Sequence, residues 1–163
     1  MQYVSQNARF SSCQQYRYSL DRQWENGEGR VLFLGLNPST ADHRHDDPTI
    51  RRCVGFARSW GFKAMEIVNL FAFRATLPSD LKKAEDPVGA DNDYWIEQAH
   101  RNAGLTVACW GNDGDFQQRA ATVCRRIDKL HCLQLNKTLH PAHPLYLKAT
   151  LQPRPFQPGD ARP

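Results

Sequence analysis

Along this chain, short runs of apolar residues alternate with stretches that carry an apolar side chain every three or four positions. Four of the runs have the near-continuous hydrophobicity of strands buried on both faces of a sheet. They lie at residues 31–36, 65–70, 105–110 and 132–135. The amphipathic stretches are typical of helices and lie at residues 48–60, 94–102 and 115–130. Strands that alternate with helices predict an α/β fold built through right-handed crossovers.

The expected architecture is a three-layer α/β/α sandwich around a central, mainly parallel four-stranded sheet. Before it, Tyr16, Tyr18 and Leu20 alternate with polar residues, which predicts a half-buried N-terminal β-hairpin or edge strand. From Ala149 onward the chain holds four prolines, which predicts an extended or frayed tail. The expected organisation is a single α/β domain over residues 1–148 and a Pro-rich C-terminal tail over residues 149–163.

Length and composition narrow the class of protein. No apolar run reaches the roughly 18 residues that a membrane-spanning helix needs, and the N-terminus lacks the charged and apolar regions of a signal peptide. We therefore expect a cytoplasmic protein without a membrane partner. The five cysteines contain no CxxC pair, so we expect reduced core residues rather than disulfides, a zinc site or an iron–sulfur cluster. No cofactor is predicted.

A strongly polar loop follows the first central strand. Its polar residues are Asn37, Ser39, Thr40, Asp42, His43, His45, Asp46 and Asp47. The loops after the other three strands carry Asn69, then Asn112, and last His140 with His143. Ligands of open α/β sheets bind at the carboxyl ends of the strands, so these loops are expected to form one site. The Asp47-Pro48 pair also has the form of a helix start, with Asp as the N-cap.

The charge of the chain bears on its ligand. The formal net charge is +4 and the pI is about 8.9. A basic surface favours nucleic acid or a phosphorylated small molecule as partner. Arg51, Arg52 and Arg74 are the arginines expected to hold a phosphate group.

The loop motifs, taken in order, resemble those of the uracil-DNA glycosylase superfamily. The similar segments are GLNPS at residues 35–39, IVN at 67–69, CWGN at 109–112 and HPAHPL at 140–145. The mismatch-specific branch of that superfamily has an Asn-Pro pair at the position of Asn37-Pro38. The resemblance covers roughly residues 31–147 and implies a uracil-DNA glycosylase-like fold.

A closer resemblance is to the family known as domain of unknown function 1643, which occurs in bacteria and phages. The segments that carry it are LNPSTAD at residues 36–42, DDPTIRRC at 46–53, VNLFAFRAT at 68–76, WGN at 110–112 and HPLYL at 143–147. The chain is identified as a member of this family on these motifs. No activity accompanies the resemblance.

The glycosylase resemblance implies hydrolysis of the N-glycosidic bond of an unusual or damaged pyrimidine in nucleic acid. Asn37 would position the attacking water, and His143 or His140 would donate a hydrogen bond to the departing base. We favour His143, because HPLYL belongs to both resemblances. Asn69 would pair with the polar edge of the base. Phe71, Phe73 or Phe56 would stack on it, and the further expected substrate contacts are Ser39, Thr40, Arg74, Asn112 and Tyr146.

Two other functions fit the same residues. In the first, the protein binds a nucleotide or modified base without cutting it, in nucleotide metabolism or in phage-host DNA modification. In the second, the chain is a metal-dependent hydrolase, and its ligands would come from Asp42, His43, His45, Asp46 and Asp47. Each residue also has a structural interpretation: Asn37 in a turn, Asp47 as a helix cap, Phe71 and Phe73 in the core.

Overall fold

A seven-stranded mixed sheet forms the centre of the protein in the computed structural model, which describes residues 2–157. The strands are β1 (Ser5–Phe10), β2 (Arg17–Gln23), β3 (Arg30–Gly35), β4 (Ala64–Asn69), β5 (Leu105–Ala108), β6 (Leu130–Cys132) and β7 (Arg154–Pro155). The α-helices are α1 (Pro48–Ser59), α2 (Pro78–Lys83), α3 (Asn92–Asn102) and α4 (Arg119–Cys124), and a 3₁₀ helix covers Asn112–Gln118. Across the sheet the strands follow the order β1-β2-β4-β3-β5-β6-β7.

The α/β class is confirmed, but the expected central, mainly parallel four-stranded sheet is wrong. The pairings of β3 with β4, β3 with β5, and β5 with β6 are parallel. The pairings of β1 with β2, β2 with β4, and β6 with β7 are antiparallel. The N-terminal hairpin therefore does not stand apart, because β2 pairs with β4 and places Leu20 opposite Ile67. Alternation along a strand shows which face is buried but does not show which neighbour the strand pairs with.

Helices cover both faces of the sheet because successive strand residues point to opposite sides. On one face, Val31 and Phe33 of β3 pack in a cluster with Val54 of α1. On the other face, Leu32 and Leu34 pack in a cluster that holds the buried side chains of α3 and α4. A central strand that is buried on both faces explains why its sequence is apolar throughout.

The start of α1 is as predicted. Asp47 is the N-cap, and its Oδ1 accepts a hydrogen bond from the backbone N–H of Ile50 at 2.9 Å. Pro48 occupies the first helical position, where the missing N–H is not needed. This start fixes α1 directly behind the polar loop that follows β3.

The predicted helix over 115–130 is wrong. Residues 112–118 form a 3₁₀ helix, and α4 is short and ends at Cys124. Gln117 and Gln118 have φ values of 53° and 55°, which an α-helix cannot contain. The connection between β4 and α3 contains the short helix α2.

Part of the Pro-rich tail belongs to the sheet. In β7, Arg154 pairs with Cys132 of β6. The next residue but one, Phe156, is buried and packs its ring edge-on against Trp110, with 5.7 Å between the ring centroids. The tail is therefore ordered against the sheet through Phe156, and residues 158–163 lie outside the described part of the chain.

The cysteines differ from expectation at one position. All five are free, Cys53, Cys109 and Cys132 are buried, and Cys124 is half-buried. Cys13 is exposed in the turn between β1 and β2, so it is not a core residue. Within residues 2–157, no helix has the length and apolar character needed to cross a membrane.

The end of β4 is held by two buried polar side chains. Asn92 Nδ2 donates to the carbonyl oxygens of Asn69 and Leu70 at 2.9 and 3.1 Å. Arg119 Nε donates to the Leu70 carbonyl at 2.7 Å, while its NH2 donates to Asp93 Oδ1 at 2.6 Å. These bonds join the carboxyl end of β4 to the first turn of α3 and to α4.

We predict that Arg119→Met lowers the free energy of unfolding by about 2 to 3 kcal/mol, because the Leu70 carbonyl loses one of its two side-chain donors and the Asp93 carboxylate loses its buried partner. The measurement is urea unfolding. Arg126→Met is the control, since Arg126 pairs with Glu97 at 3.0 Å and with Asp93 at 3.6 Å through a half-exposed side chain and its loss should change little. Equal effects of the two substitutions would contradict the structural role of Arg119.

Candidate functional site

A cavity of about 720 Å³ opens at the carboxyl ends of the parallel strands. Its walls come from the loops after β3, β4, β5 and β6 and from the first turn of α1. The polar residues of the walls are Arg17, Asn37, Ser39, Thr40, Asp47, Thr49, Asn69, Thr76, Asn112, Asp113, Asn136 and His143. This volume is in the range of a small-molecule site.

The cavity brings together six of the residues named from the sequence. These are Asn37, Ser39, Thr40, Asn69, Asn112 and His143. The other expected residues lie elsewhere. Phe56 and Phe71 are buried in the two hydrophobic clusters, and Phe73 packs on one of them. Arg74 donates to the Gln14 carbonyl at 3.0 Å, and neither Arg51 nor Arg52 lines the cavity.

Asn37 presents an acceptor to the cavity. Its Nδ2 donates to the carbonyl oxygens of Ala75 and Pro38 at 2.8 and 3.1 Å. Because both partners are carbonyl oxygens, only the amide nitrogen can occupy this position. Within residues 2–157, Asn37 Oδ1 has no hydrogen-bond partner, so it is the atom left to bind a ligand or a water molecule.

Asn69 lies at the floor of the cavity, at the end of β4. It is buried, and its Nδ2 has no hydrogen-bond partner among the residues that the structure describes. Gly35 stands opposite it in the parallel pairing of β3 with β4. A Cβ on Gly35 would lie 2.8 Å from Asn69 Oδ1, so a larger residue here would force the Asn69 amide to move. A buried amide without a partner is a strong feature of a binding site.

His143 presents a donor. Its Nδ1 accepts a hydrogen bond from the backbone N–H of Leu145 at 3.2 Å, so the proton of the neutral ring is on Nε2. Burial lowers the pKa of His143 below its usual value, and the charge of Asp47 opposes this shift only in part. The ring is therefore neutral at pH 7 and has an N–H to offer a ligand.

His140 has a different environment. It is buried, and its Nδ1 accepts a hydrogen bond from Trp110 Nε1 at 3.2 Å. Its Nε2 has no partner within the described chain, and the residue is not part of the cavity wall. Tyr146, in contrast, is 98% exposed and has a positive φ of 69°. Neither His140 nor Tyr146 therefore lines the cavity, although His140 bonds the cavity residue Trp110 and Tyr146 follows the cavity residue Leu145.

Two charged residues of the wall, Arg17 and Asp113, were not found from the sequence as ligand-binding groups. Arg17 sits between Tyr16 and Tyr18, where the alternating pattern indicates a solvent-facing position, yet it is 2% exposed. Asp47 was expected as the helix cap, which it is, and as one of the possible metal ligands. No short motif marks a charged residue that tertiary packing buries, so the sequence held no signal for Arg17.

The three aspartates expected as metal ligands are used in other ways. Asp42 Oδ1 accepts from the backbone N–H groups of Arg44 and His45. Asp46 accepts from Arg22 Nε at 2.9 Å and from the Tyr3 hydroxyl at 2.6 Å. In the described part of the chain, no three His, Cys, Asp or Glu side chains are grouped so that they could hold a metal ion.

A family model matches residues 17–145, which is more than half of the 163 residues. The chain belongs to the family described as protein of unknown function (DUF1643). The matched range contains every residue of the cavity wall except Leu147. No curated protein and no solved structure matches the chain significantly. Family membership is therefore shown, and the resemblance to uracil-DNA glycosylases rests on the motifs alone.

We predict that the free energy of unfolding decreases as the pH falls below about 6.5, partly because of His143. Its pKa is lower in the folded state than in the unfolded chain, so below about pH 6.5 the unfolded chain binds more protons at this site. His143→Gln should reduce the slope of stability against pH between 7 and 5, measured by urea unfolding at a series of pH values. His43→Gln, at an exposed position, should leave the slope unchanged. The same slope in both variants would disprove the assignment.

Proposed function

We propose that this cavity binds an unusual or damaged pyrimidine of nucleic acid and hydrolyses its N-glycosidic bond. The observation that carries the proposal is the pairing of functions in one cavity: a fixed acceptor on Asn37 and a fixed neutral donor on His143. Hydrolysis of this bond needs both, an acceptor for the attacking water and a donor for the departing base. The motif resemblance to uracil-DNA glycosylases agrees with this arrangement.

The reaction follows from these groups. A water molecule held by Asn37 Oδ1 adds its oxygen to C1′ while the bond from C1′ to the base nitrogen breaks. The electron pair of that bond goes to the base, which leaves as an anion. His143 Nε2–H donates a hydrogen bond to the negative base oxygen, a contact of the kind that contributes about 3 to 4 kcal/mol in other enzymes.

The water must also lose a proton. An amide is too weak a base to accept it. Asp47 lies in the cavity wall and accepts the Ile50 N–H with Oδ1, while Oδ2 has no partner within residues 2–157. Its carboxylate is the group to which we assign this proton. Asp113, the other carboxylate of the wall, is paired with Lys82 at 2.9 Å.

Base recognition is assigned to Asn69. Its amide offers a donor and an acceptor, which match the alternating polar groups on the edge of a pyrimidine. The unpartnered Nδ2 supports this assignment, since a base carbonyl would supply the missing acceptor. Tyr146 stands fully exposed next to the cavity residue Leu145, where its ring is available to stack on a neighbouring base.

We predict that Asn37→Ala and His143→Ala each reduce single-turnover base release by about 100-fold or more, because each removes one of the two required contacts. The assay uses single- and double-stranded oligonucleotides with uracil, mismatches, and oxidised or hypermodified pyrimidines. Oligonucleotide binding, measured by fluorescence anisotropy, should change little.

Matched control variants are Asn7→Ala and His43→Ala, which alter the same residue types at exposed positions outside the cavity. Both should release base at the parent rate. Unchanged release from the Asn37 and His143 variants would remove these residues from the mechanism. No release by the parent protein from any substrate would remove the glycosylase activity itself.

The second candidate is binding of a nucleotide or modified base without cleavage. One observation favours it: Asn37 and Asn69 provide recognition by hydrogen bonding but no strong acid or base, and Asp47 already serves as a helix cap. In this case Asn69 would select the base, and the cavity would work as a sensor or carrier site.

For either function, we predict that Asn69→Ala weakens binding of the base by about 10- to 100-fold, since one good amide–base pair contributes about 1 to 3 kcal/mol. Isothermal titration calorimetry with the nucleoside measures this. Asn102→Ala is the control, because it removes the same amide from an exposed position at the end of α3, outside the cavity. Equal losses in the two variants would show that Asn69 has no special role.

A further inference from the structure

Arg17 is a buried cation with few partners. It lies at the start of β2, is 2% exposed, and forms part of the cavity wall. A guanidinium has five N–H donors. Within residues 2–157, Arg17 makes one side-chain hydrogen bond, from NH1 to the Ala41 carbonyl at 3.1 Å, and its Nε is buried with no partner.

No carboxylate within the described residues forms an ion pair with Arg17. Asp47 is the nearby acid whose charge favours the protonated guanidinium, but its Oδ1 is committed to the first turn of α1. The charges of Arg22 and Arg74 act in the opposite direction. Arg22 illustrates the usual arrangement. It is also buried, and it is bonded to Asp46 and to three backbone carbonyls.

Burial without a carboxylate partner makes the charged form of Arg17 less stable. Burial lowers the pKa of Arg17 to about 10, so the side chain remains charged at pH 7 but at a cost. Buried charges in proteins are normally paired or hydrogen-bonded throughout. A cation that lines a cavity and lacks its anion is therefore matched to an anionic ligand.

A second donor faces the same space. Thr49 and Pro48 belong to the cavity wall and form the first turn of α1, a helix of 12 residues. Pro48 has no N–H, and the Ile50 N–H is taken by Asp47. The Thr49 N–H has no acceptor within the helix because it is the second helical residue. The positive end of the helix dipole adds to the field of Arg17 at this wall.

We propose that Arg17, with the Thr49 N–H, binds the phosphate group of the ligand, so that the cavity takes a nucleotide rather than a free base or nucleoside. This inference rests on the proposed function for the base, which Asn69 would hold. The phosphate belongs either to a mononucleotide or to a phosphodiester of a strand. Both present the same oxygens to the fork of the guanidinium.

The first test uses inorganic phosphate as the probe. Thermal unfolding of the full chain is followed in phosphate and in chloride at equal ionic strength and pH 7. The parent protein should show a higher Tm in phosphate, and Arg17→Met should lose that shift. Arg9→Met is the matched control, because it removes the same charge from an exposed position on the neighbouring strand β1 and should keep the shift.

Without phosphate, Arg17→Met should unfold at the parent Tm or above, since it replaces a poorly paired buried charge by an apolar side chain. Should this variant not fold, Arg17→Lys decides the question. Lysine keeps the charge but not the bidentate fork, so the phosphate-dependent shift should persist at a reduced size. A full-size shift in Arg17→Lys or in Arg17→Met would overturn the proposal.

The second test compares pyrimidine nucleosides with their 5′-monophosphates by calorimetry. In the parent protein the monophosphate should bind about 10- to 100-fold more tightly, the range expected for hydrogen bonds to a charged group. Arg17→Met should abolish this preference and keep the affinity for the nucleoside. Equal affinities in the parent protein, or an unchanged preference in Arg17→Met, would overturn the assignment.

A short oligonucleotide with one internal pyrimidine identifies the source of the phosphate. Arg17→Met should weaken binding of the monophosphate in either case. If it also weakens oligonucleotide binding, the site accepts a phosphodiester, whereas unchanged oligonucleotide binding identifies a mononucleotide. The outcome for the proposed function is separate. An Arg17-dependent phosphate shift without base release supports the anion site and contradicts the glycosylase activity. Base release without any phosphate effect supports the glycosylase activity and contradicts the anion site.

Discussion

The close approach of Gly35 and Asn69 is the constraint on which the cavity depends. The two residues face each other where the parallel strands β3 and β4 end. A side chain at position 35 would meet the Asn69 amide at 2.8 Å, so the amide would have to move from its present place if Gly35 carried a Cβ. Asn92 and Arg119 then hold the following carbonyl groups in place. The recognition group is therefore positioned by strand register and buried hydrogen bonds rather than by a flexible loop.

Three polar side chains of the cavity are held in place by hydrogen bonds to the protein itself. Asn37 is tied by its nitrogen, His143 by its Nδ1 and Asp47 by one oxygen, so each retains one defined atom for a ligand. This partial use of each side chain fixes its rotamer before a ligand arrives. Preorganised polar groups lose little entropy on binding and need little rearrangement in a transition state.

Much of this architecture could be predicted because it follows from local patterns. The strands at β3 and β4 and the capped start of α1 follow from apolar runs and from the Asp47-Pro48 pair. The order and pairing of the strands in the sheet could not be predicted. Pairing of β2 with β4 and of β7 with β6 depends on contacts that are distant in sequence, and the Pro-rich residues around Arg154 resemble a tail. Left-handed residues at Gln117 and Gln118 interrupt a regular apolar spacing that otherwise indicates one helix.

The site could be predicted in part for a similar reason. Loop residues after strands, such as Asn37, Asn69 and His143, are placed at one edge by the topology of any parallel α/β sheet. The aromatic residues Phe71 and Phe73 follow the same strand but point into the core, which only packing decides. The burial of Arg17 could not be predicted, because a charged residue in an alternating strand usually faces water, whereas this one lines the cavity.

The edges of the sheet have a consequence for solubility and assembly. The strands β1 and β7 lie outside the range matched by the family, and each pairs antiparallel with an inner strand. A chain trimmed to residues 17–145 would expose the backbone N–H and C=O groups of β2 and β6 along both sides of the sheet. Open edges of this kind pair with other chains, which leads to aggregation or strand exchange. The two terminal segments thus satisfy the backbone groups of β2 and β6 and move the open edges of the sheet outward to β1 and to the two-residue strand β7.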